Sequence, residues 1–198
     1  MKYRYLIGAL ILWIGFGGFT ACGKKESADT GRLDSESGSF SLYTYDDSTN
    51  KGDSSIALLR EALRNEKGEE ETVWTLNGKI TTKYQYGYAG VVLVPDGKTL
   101  ARLQSGAETI KLRMSGDGRR YRFSVDTENV TDGNTFGREI TVPERSGEII
   151  ISTAGLKQEG GWGVEVPFDR TLIKNLKIQT IGQPVSSFRF TIHSVEIQ

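Results

Sequence analysis

From Phe40 onward the sequence consists of short segments in which apolar and polar residues alternate. A period of two places one face of an extended strand in a core and the other face in solvent. Turn-forming pairs such as Asn77-Gly78, Asp96-Gly97 and Asp132-Gly133 separate the segments. The segments are FSLYTY, TVWTLNGKITTKY, GYAGVVLV, AETIKLRM, RYRFSVDT, FGREITV, GEIIIST, GWGVEVPF, NLKIQTI and SFRFTIHSVEIQ. About ten strands at this spacing predict an all-β domain, an antiparallel β-sandwich of the jelly-roll type.

One segment fits two structures. The stretch SSIALLREALRNEKG places Ile56, Leu59 and Leu63 at helical spacing, whereas Ile56 and Leu58 also suit a strand. Residues 55–67 are therefore predicted as either a short helix or a strand at the edge of the sandwich.

The stretch MSGDGRRYRFSVDT, Met114 to Thr127, distinguishes a nucleotide site from a binding module. A phosphate-binding loop needs a helix directly after its glycines, because the N-terminal amides of that helix point at the anion. RRYRFSVDT instead alternates like a strand, and no Gly-Lys-Ser/Thr is present. We predict that SGDG is a tight turn of a β-hairpin, in which glycine takes a positive φ at little cost.

The same turn carries a family resemblance. SGDGRRYRF resembles the Gly-Asp-Gly-x-x-Tyr hairpin of the complex I intermediate-associated protein 30 family and of the related family 11 carbohydrate-binding modules. Further similar pieces follow in the same order along the chain: YDDSTNKGDSSI, LNGKITTKYQYGYAGVVL, GWGVEVPFD and FRFTIHSVEI. The resemblance spans residues 40–198 in patches and implies a galactose-binding-like β-sandwich.

The resemblance implies non-catalytic binding, with carbohydrate as the favoured ligand. A scaffold that binds another protein is the alternative, and a glycan hydrolase is the third function considered. No cofactor is expected. Acidic residues in the closing strand of such sandwiches help to hold a structural calcium ion, but His193-Ser194 stands there in this chain, so calcium is an open alternative despite Asp46 and Asp47. The apolar alternation also slips at His193-Ser194, which predicts a β-bulge.

Three tyrosines are the main candidate ligand contacts. Tyr84, Tyr86 and Tyr88 are two residues apart, so in an extended strand their rings lie on one face, about 7 Å from one another. Such a row suits stacking on the apolar faces of sugar rings, whereas packing into the core is the structural alternative.

Three arginines complete the binding candidates, whereas a tryptophan is assigned to the core. Arg113, Arg120 and Arg122 lie opposite the apolar stripe of the predicted hairpin and are candidates for hydrogen bonding at a groove rim, against a purely solvated face. Trp162 alternates with Val164 and Val166 and is predicted in the core.

Catalytic groups are scarce in this sequence. His193 is the single histidine and is predicted to be structural, since a triad or a histidine metal site would depend on it alone. Asp46 and Asp47 are adjacent, so in a strand they point to opposite faces, and we expect them to cap a turn or bind an ion. We therefore predict no enzymatic activity.

The N-terminal residues predict export and anchoring. Lys2 and Arg4 precede the apolar run YLIGALILWIGFGGF, which ends in TAC at Cys22. A basic region, an apolar region and a small residue before the cut form a secretory signal. The run is shorter than the roughly 18–20 residues of a comfortable membrane span. The single cysteine at this place resembles a bacterial lipobox, so we expect Cys22 to be lipidated; an ordinary cleaved signal is the alternative.

These features predict three regions: a signal peptide at 1–21, a flexible Gly/Ser-rich tether at 22–39 and one β-sandwich at 40–198. The chain has 25 basic and 25 acidic residues. Removal of the signal peptide takes away Lys2 and Arg4, so the net charge becomes (25 − 2) − 25 = −2. A near-neutral balance without a basic stripe argues against nucleic acid as a partner. The expected partners are a carbohydrate or a protein of the cell envelope, at the periplasmic or outer side of a bacterial membrane to which the lipid holds the protein.

Overall fold

The computed structural model describes residues 30–35, 38–64, 68–83, 86–182 and 184–198. The predicted signal peptide, Cys22 and Tyr84 lie outside these residues. Within the described residues, no helix has the length and apolar character needed to cross a bilayer.

The described residues form an antiparallel β-sandwich, which confirms the predicted fold class. Its strands are β1 (Thr30–Ser35), β2 (Gly38–Asp46), β3 (Ser55–Arg64), β4 (Glu70–Ile80), β5 (Ala89–Pro95), β6 (Thr109–Gly116), β7 (Arg120–Thr127), β8 (Phe136–Thr141), β9 (Gly147–Ser152), β10 (Ile173–Thr180) and β11 (Val185–Ile197). One α-helix, α1 (Gly97–Ser105), follows β5. A six-stranded sheet has the order β1-β2-β5-β10-β7-β8, and a five-stranded sheet has the order β3-β4-β11-β6-β9.

The core lies between the two sheets. Alternate residues of each strand point inward, and the aromatic centre consists of Tyr121, Phe188 and Phe190. The Tyr121 and Phe190 rings meet edge to face with centroids 4.8 Å apart, a favourable geometry for aromatic pairs.

The sandwich begins earlier than expected. Residues 30–35, predicted as part of the tether, form β1, which pairs with β2 along its whole length. Leu33 enters the core, and the Trp74 indole Nε1 donates to the Arg32 carbonyl at 2.7 Å. The sequence prediction missed β1 because a segment of six residues with one buried leucine has too short an apolar alternation to be distinguished from a polar tether.

The ambiguous segment 55–67 contains the edge strand β3, which pairs with β4. The Asn77-Gly78 pair, predicted as a turn, lies inside β4 instead. Gly78 serves close packing there, since a Cβ would lie 2.0 Å from the Ser55 carbonyl oxygen. Asp96-Gly97 begins helix α1, where the Asp96 carboxylate accepts from the Thr99 amide at 2.8 Å.

The SGDG turn joins the two sheets and is not a hairpin. β6 belongs to the five-stranded sheet and β7 to the six-stranded sheet. Gly118 takes φ +73°, as predicted for a glycine at a tight connection. The hairpin prediction was wrong because apolar alternation shows which face of a strand is buried, and it does not show which other strand is its neighbour.

The predicted β-bulge is confirmed. The pairing of β11 with β6 shifts register between Ile192 and Ser194. The extra residue returns Val195 and Ile197 to the core after Ile192.

Candidate functional site

The outer face of the six-stranded sheet carries a group of aromatic and hydrogen-bonding side chains. Inward-pointing neighbours such as Leu42, Leu93 and Leu176 fill the core, so the residues between them point outward. The register places Tyr45, Gly90, Gln179 and Arg122 in one row across β2, β5, β10 and β7, and Tyr43, Val92, Lys177 and Ser124 in the next. With strands about 4.8 Å apart, each row from β2 to β7 is about 14 Å long.

Tyrosines form the β2 side of this face. The Tyr45 ring lies against Gly90, where a Cβ would come within 2.8 Å of the ring. Its hydroxyl donates to Gln179 Oε1 at 2.6 Å, and its ring lies 6.1 Å from that of Tyr88. Burial, followed by the charge of Asp126, raises the pKa of Tyr45 well above its usual value, so the hydroxyl is a neutral donor. Tyr43, 37% exposed, presents its ring to solvent beside it.

Compensated charges form the middle of the face. Lys177 Nζ lies 2.7 Å from Asp126 Oδ1 and 5.8 Å from the centre of the Tyr45 ring. Arg122 Nη1 lies 3.1 Å from Glu159 Oε1, and its Nη2 donates to the Thr135 carbonyl at 3.1 Å. Each cation has a carboxylate partner, so the face offers many donors and acceptors without a large net charge.

A loop after β9 forms the β8 side. Lys157 bridges to Gly137 of β8, and the chain then brings Glu159 to Arg122. The Trp162 indole Nε1 donates to Glu159 Oε2 at 3.2 Å, while the side chain is 47% exposed. Trp162 was predicted in the core, and that prediction was wrong: residues 156–169 form a loop, not a strand, and Val164 is also exposed.

Two polar side chains, the buried Asn134 and the exposed Asp132, hold the loop that carries Trp162. Asn134, 1% exposed, donates through Nδ2 to the carbonyls of Glu159 (3.0 Å) and Trp162 (2.7 Å) and accepts from the Glu159 amide at 2.9 Å. Asp132 accepts from the Val164 amide at 2.6 Å. The hydrogen bonds from the Asn134 and Val164 amides hold the pKa of Asp132 below its usual value. Trp162 is thus presented on a fixed backbone.

The predicted row of three tyrosines is not formed by the described residues. β4 ends at Ile80 and β5 begins at Ala89, and the described residues between them, 81–83 and 86–88, belong to no strand. A Cβ on Gly87 would lie 2.0 Å from the Thr81 carbonyl oxygen, so the loop closes on itself there. Tyr86 is 66% exposed in this loop, whereas Tyr88 packs beside Tyr45 and accepts from Asn50 Nδ2 at 2.9 Å.

The three predicted arginines lie on two opposite faces of the sandwich. Arg113 belongs to the five-stranded sheet and pairs there with Glu71. Arg120 lies on the six-stranded sheet at its exposed end, 2.7 Å from Glu139. Arg122 joins the set described above, and Arg120 lies two residues further along the same outer face, whereas Arg113 is on the opposite face because β6 and β7 belong to separate sheets.

Sequence reasoning missed the side chains of β2 and β10 that build this face. Tyr43 and Tyr45 alternate with Leu42 in FSLYTY, and Lys177 and Gln179 alternate with Ile178 in NLKIQTI, so the outward direction was readable. What the sequence lacked was the information that β2, β5, β10 and β7 are neighbours.

The remaining acidic residues and the histidine have structural contacts. Asp46 caps the 3₁₀ turn Asp47–Asn50, as expected, and accepts from the Ser48 amide at 2.9 Å. Asp47 is buried and accepts from the Ser54 amide and hydroxyl. His193 Nε2 lies 2.9 Å from Ser115 Oγ. In the described part of the chain, no group of three or more His, Cys, Asp or Glu side chains is placed to hold a metal ion.

Comparisons with known proteins agree with the fold. The model of the complex I intermediate-associated protein 30 family matches residues 32–192. A family 11 carbohydrate-binding module of the cellulosomal cellulase Lic26A-Cel5E of Clostridium thermocellum superimposes with a TM-score of 0.57 at 18% identity, covering 86% of this chain and 95% of the module. A Clostridium thermocellum family 11 module in complex with a β-1,3-1,4-mixed-linked tetrasaccharide gives a TM-score of 0.55 at 16% identity, covering 86% and 96%.

A family 30 carbohydrate-binding module gives a TM-score of 0.52 at 14% identity, covering 85% of this chain and 94% of the module. No curated protein matches the sequence. At these identities the similarity to solved structures establishes the galactose-binding-like sandwich fold.

Proposed function

Because the chain belongs to the complex I intermediate-associated protein 30 family, we propose that its sandwich is a non-catalytic binding module whose ligand is a carbohydrate. The observation that carries the proposal is the outer face of the six-stranded sheet, with Tyr43 and Tyr45 on one side and Trp162 on the other. Hydrogen-bonding side chains lie between these aromatic walls.

The chemistry of the face matches that of a sugar. Sugar rings have apolar C–H faces, which stack on aromatic rings, and hydroxyl edges, which both donate and accept hydrogen bonds. Lys177 and Gln179 provide donors and acceptors, and the Lys177–Asp126 ion pair leaves little net charge. A few polar groups placed among aromatic side chains are typical of small-molecule sites.

The fold supports the choice of a first ligand. The family 11 module solved with a β-1,3-1,4-mixed-linked tetrasaccharide shares this sandwich. We therefore take mixed-linked β-glucan tetrasaccharides as the first probe, followed by an array of other glycans.

The test is calorimetric titration of the purified protein and of single variants. Tyr43→Ala and Trp162→Ala are each expected to weaken binding by about tenfold or more, roughly 1.4 kcal/mol. Ile150→Ala is the matched control, because Ile150 is an exposed apolar side chain on the five-stranded sheet. Absence of binding to any glycan, or an equal loss in Ile150→Ala, would contradict the proposal.

A protein scaffold is the second candidate function, and the edge strand β3 favours it. β3 has ten residues, and the side chains of Leu59 and Leu63 are exposed on it. Unpaired edge strands with exposed apolar side chains are templates for added strands. In that case Leu59→Asp would abolish co-purification of the partner, whereas Tyr43→Ala would not. No observation favours the hydrolase considered above.

Localisation at the cell envelope, with a lipid on Cys22, is part of the proposal. Eight residue steps separate Cys22 from Thr30, the first residue of β1, and such a segment reaches at most about 26–29 Å. The sandwich would therefore stay close to the membrane. Metabolic labelling with an alkyne fatty acid should mark the wild-type protein and leave Cys22→Ser unlabelled; equal labelling of both would refute the anchor.

A further inference from the structure

Strand β3 is the longest of the four strands at the sheet edges. β1, β8 and β9 have six residues each, whereas β3 has ten. β3 pairs with β4 alone, and the described residues form no further backbone hydrogen bond with it. Alternate residues of β3 therefore point their N–H and C=O groups away from the sheet. Natural edges are usually short or covered, so a long open edge is suited to binding an added strand.

One face of β3 offers apolar surface. Leu59 and Leu63 lie on the outer face of the five-stranded sheet, because Leu58 beside them points into the core. Their side chains are 42% and 39% exposed. On β4 the residues opposite them are polar, Thr75 and Glu71 respectively. Apolar side chains of an added strand would therefore pack beside the two leucines as cross-strand pairs.

The other face of β3 carries positive charge without a partner. Arg60 and Arg64 alternate with the leucines, and both are exposed. Within the described part of the chain, neither guanidinium makes an ion pair or a hydrogen bond, although Glu70 lies opposite Arg64 on β4. Glu61, the one acidic residue of β3, lies on the leucine face and accepts from Arg189 Nη2 at 3.2 Å. The uncompensated charge of this edge is therefore positive.

This charge pattern selects the kind of strand that can be added. A second copy of the chain would pair antiparallel about a two-fold axis. The registers with the greatest overlap then bring Arg60 opposite or diagonal to Arg60 of the other copy, and like charges across a strand pair are destabilising. A strand with carboxylates at those positions instead gains opposite-charge pairs on one face and apolar pairs on the other. The favoured occupant is thus an acidic segment of another protein.

We propose that β3 binds an extended segment of a partner protein in which apolar residues alternate with acidic ones. The carboxylates of the segment lie beside Arg60 and Arg64, and its apolar side chains lie beside Leu59 and Leu63. Its backbone continues the hydrogen bonding of the five-stranded sheet. The proposal rests on the scaffold candidate above and adds the chemistry of the partner. It is independent of the carbohydrate face, which belongs to the other sheet.

The experiment measures binding of two labelled peptides to the full-length protein by fluorescence anisotropy. In both peptides valine alternates with threonine, and two of the threonines, four residues apart, are replaced by glutamate in one peptide and by lysine in the other. We expect the glutamate peptide to bind at least tenfold more tightly than the lysine peptide. Arg60→Glu should lower that ratio at least tenfold. Arg138→Glu is the matched control and should leave the ratio unchanged, because Arg138 is an exposed arginine on the edge strand β8 of the other sheet.

Backbone methylation tests whether the peptide is added as a strand. Two versions of the glutamate peptide carry N-methyl groups on alternate amides, one version in each phase. Only one set of amides can face β3, so one version should lose binding and the other should retain it.

Several results would overturn the proposal: equal affinity for the two peptides, no binding of the glutamate peptide, equal effects of Arg60→Glu and Arg138→Glu, or equal binding of both methylated versions. Circular dichroism reports whether each variant is folded, and Arg60→Gln, expected to lower the ratio about threefold, keeps the test decisive if Arg60→Glu is not. If both peptides bind equally and Leu59→Asp abolishes binding of both, the scaffold candidate stands and the acidic specificity fails. Neither peptide contains a sugar, so the result is independent of glycan binding.

Discussion

Replacing Asp117 by alanine is expected to lower the free energy of unfolding by about 2–4 kcal/mol. The carboxylate accepts three hydrogen bonds, from the Arg119 amide, the Arg189 amide and the Tyr121 hydroxyl. Hydrogen bonds to charged groups contribute roughly 1.5–3 kcal/mol each when buried. The Asp117 side chain is 21% exposed, so water partly replaces the bonds to the two amides. Water does not replace the acceptor of the buried Tyr121 hydroxyl, so the loss of that hydrogen bond dominates the decrease in the free energy of unfolding.

A double-mutant cycle isolates that hydroxyl bond. Tyr121→Phe alone should cost about 1 kcal/mol, because it removes one hydrogen bond and leaves no buried donor unsatisfied. In the Tyr121→Phe background Asp117→Ala should cost about 1–2 kcal/mol less than in the wild type. Urea unfolding followed by tryptophan fluorescence gives these values, provided that the m-value stays constant. A coupling energy below about 0.3 kcal/mol, the usual limit of additivity, would refute the assignment of this bond.

Further outcomes concern the loop, a glycine and the histidine. Asn134→Ala should reduce stability by about 2 kcal/mol and weaken glycan binding, measured by urea unfolding and calorimetry, because the Trp162 loop loses its buried hydrogen bonds. Gly78→Ala should lower the free energy of unfolding by about 1–3 kcal/mol, because the added methyl group overpacks against Ser55. The control Gly97→Ala has open space around it and should not destabilise the protein. Melting temperatures of both variants test this difference. Burial, followed by the charge of Arg113, lowers the pKa of His193. The unfolded chain therefore binds the extra proton first, and stability should fall as pH drops below about 6.5 towards the lowered value. His193→Gln should flatten that pH dependence of urea unfolding, and an unchanged slope would contradict it.

Strand positions were predictable because each strand carries its own alternation. Leu112 and Met114 of β6, like Phe123 and Val125 of β7, reveal an inward face without any knowledge of neighbours. The slip at His193-Ser194 likewise predicted the bulge, since one inserted residue inverts the pattern locally. Helix α1 carried signals that were not used, namely the Asp96 cap and Leu103 on its buried side.

Sheet order and the candidate site were not predictable in the same way. The outer face brings together Tyr43, Gly90, Arg122 and Lys177 from four strands that are far apart in sequence, and only their long-range pairing makes them neighbours. Trp162 was misplaced because its alternation with Val164 also occurs in a loop. The hydrogen bonds from Asn134 that hold this loop depend on tertiary structure and leave no periodic signal.

The bonds that hold the Trp162 loop have a consequence for sequence variation. Asn134 and Asp132 reach only backbone atoms of the loop, at residues 159, 162 and 164. Side chains at those positions are therefore replaceable without loss of these anchoring bonds, as in antibody loops carried on a rigid scaffold. A library randomised at 159, 162 and 164, with Asn134, Asp132 and the positive-φ glycines Gly161 and Gly163 unchanged, should retain folded members of altered ligand preference. The sandwich thereby separates the residues that determine folding from those open to diversification.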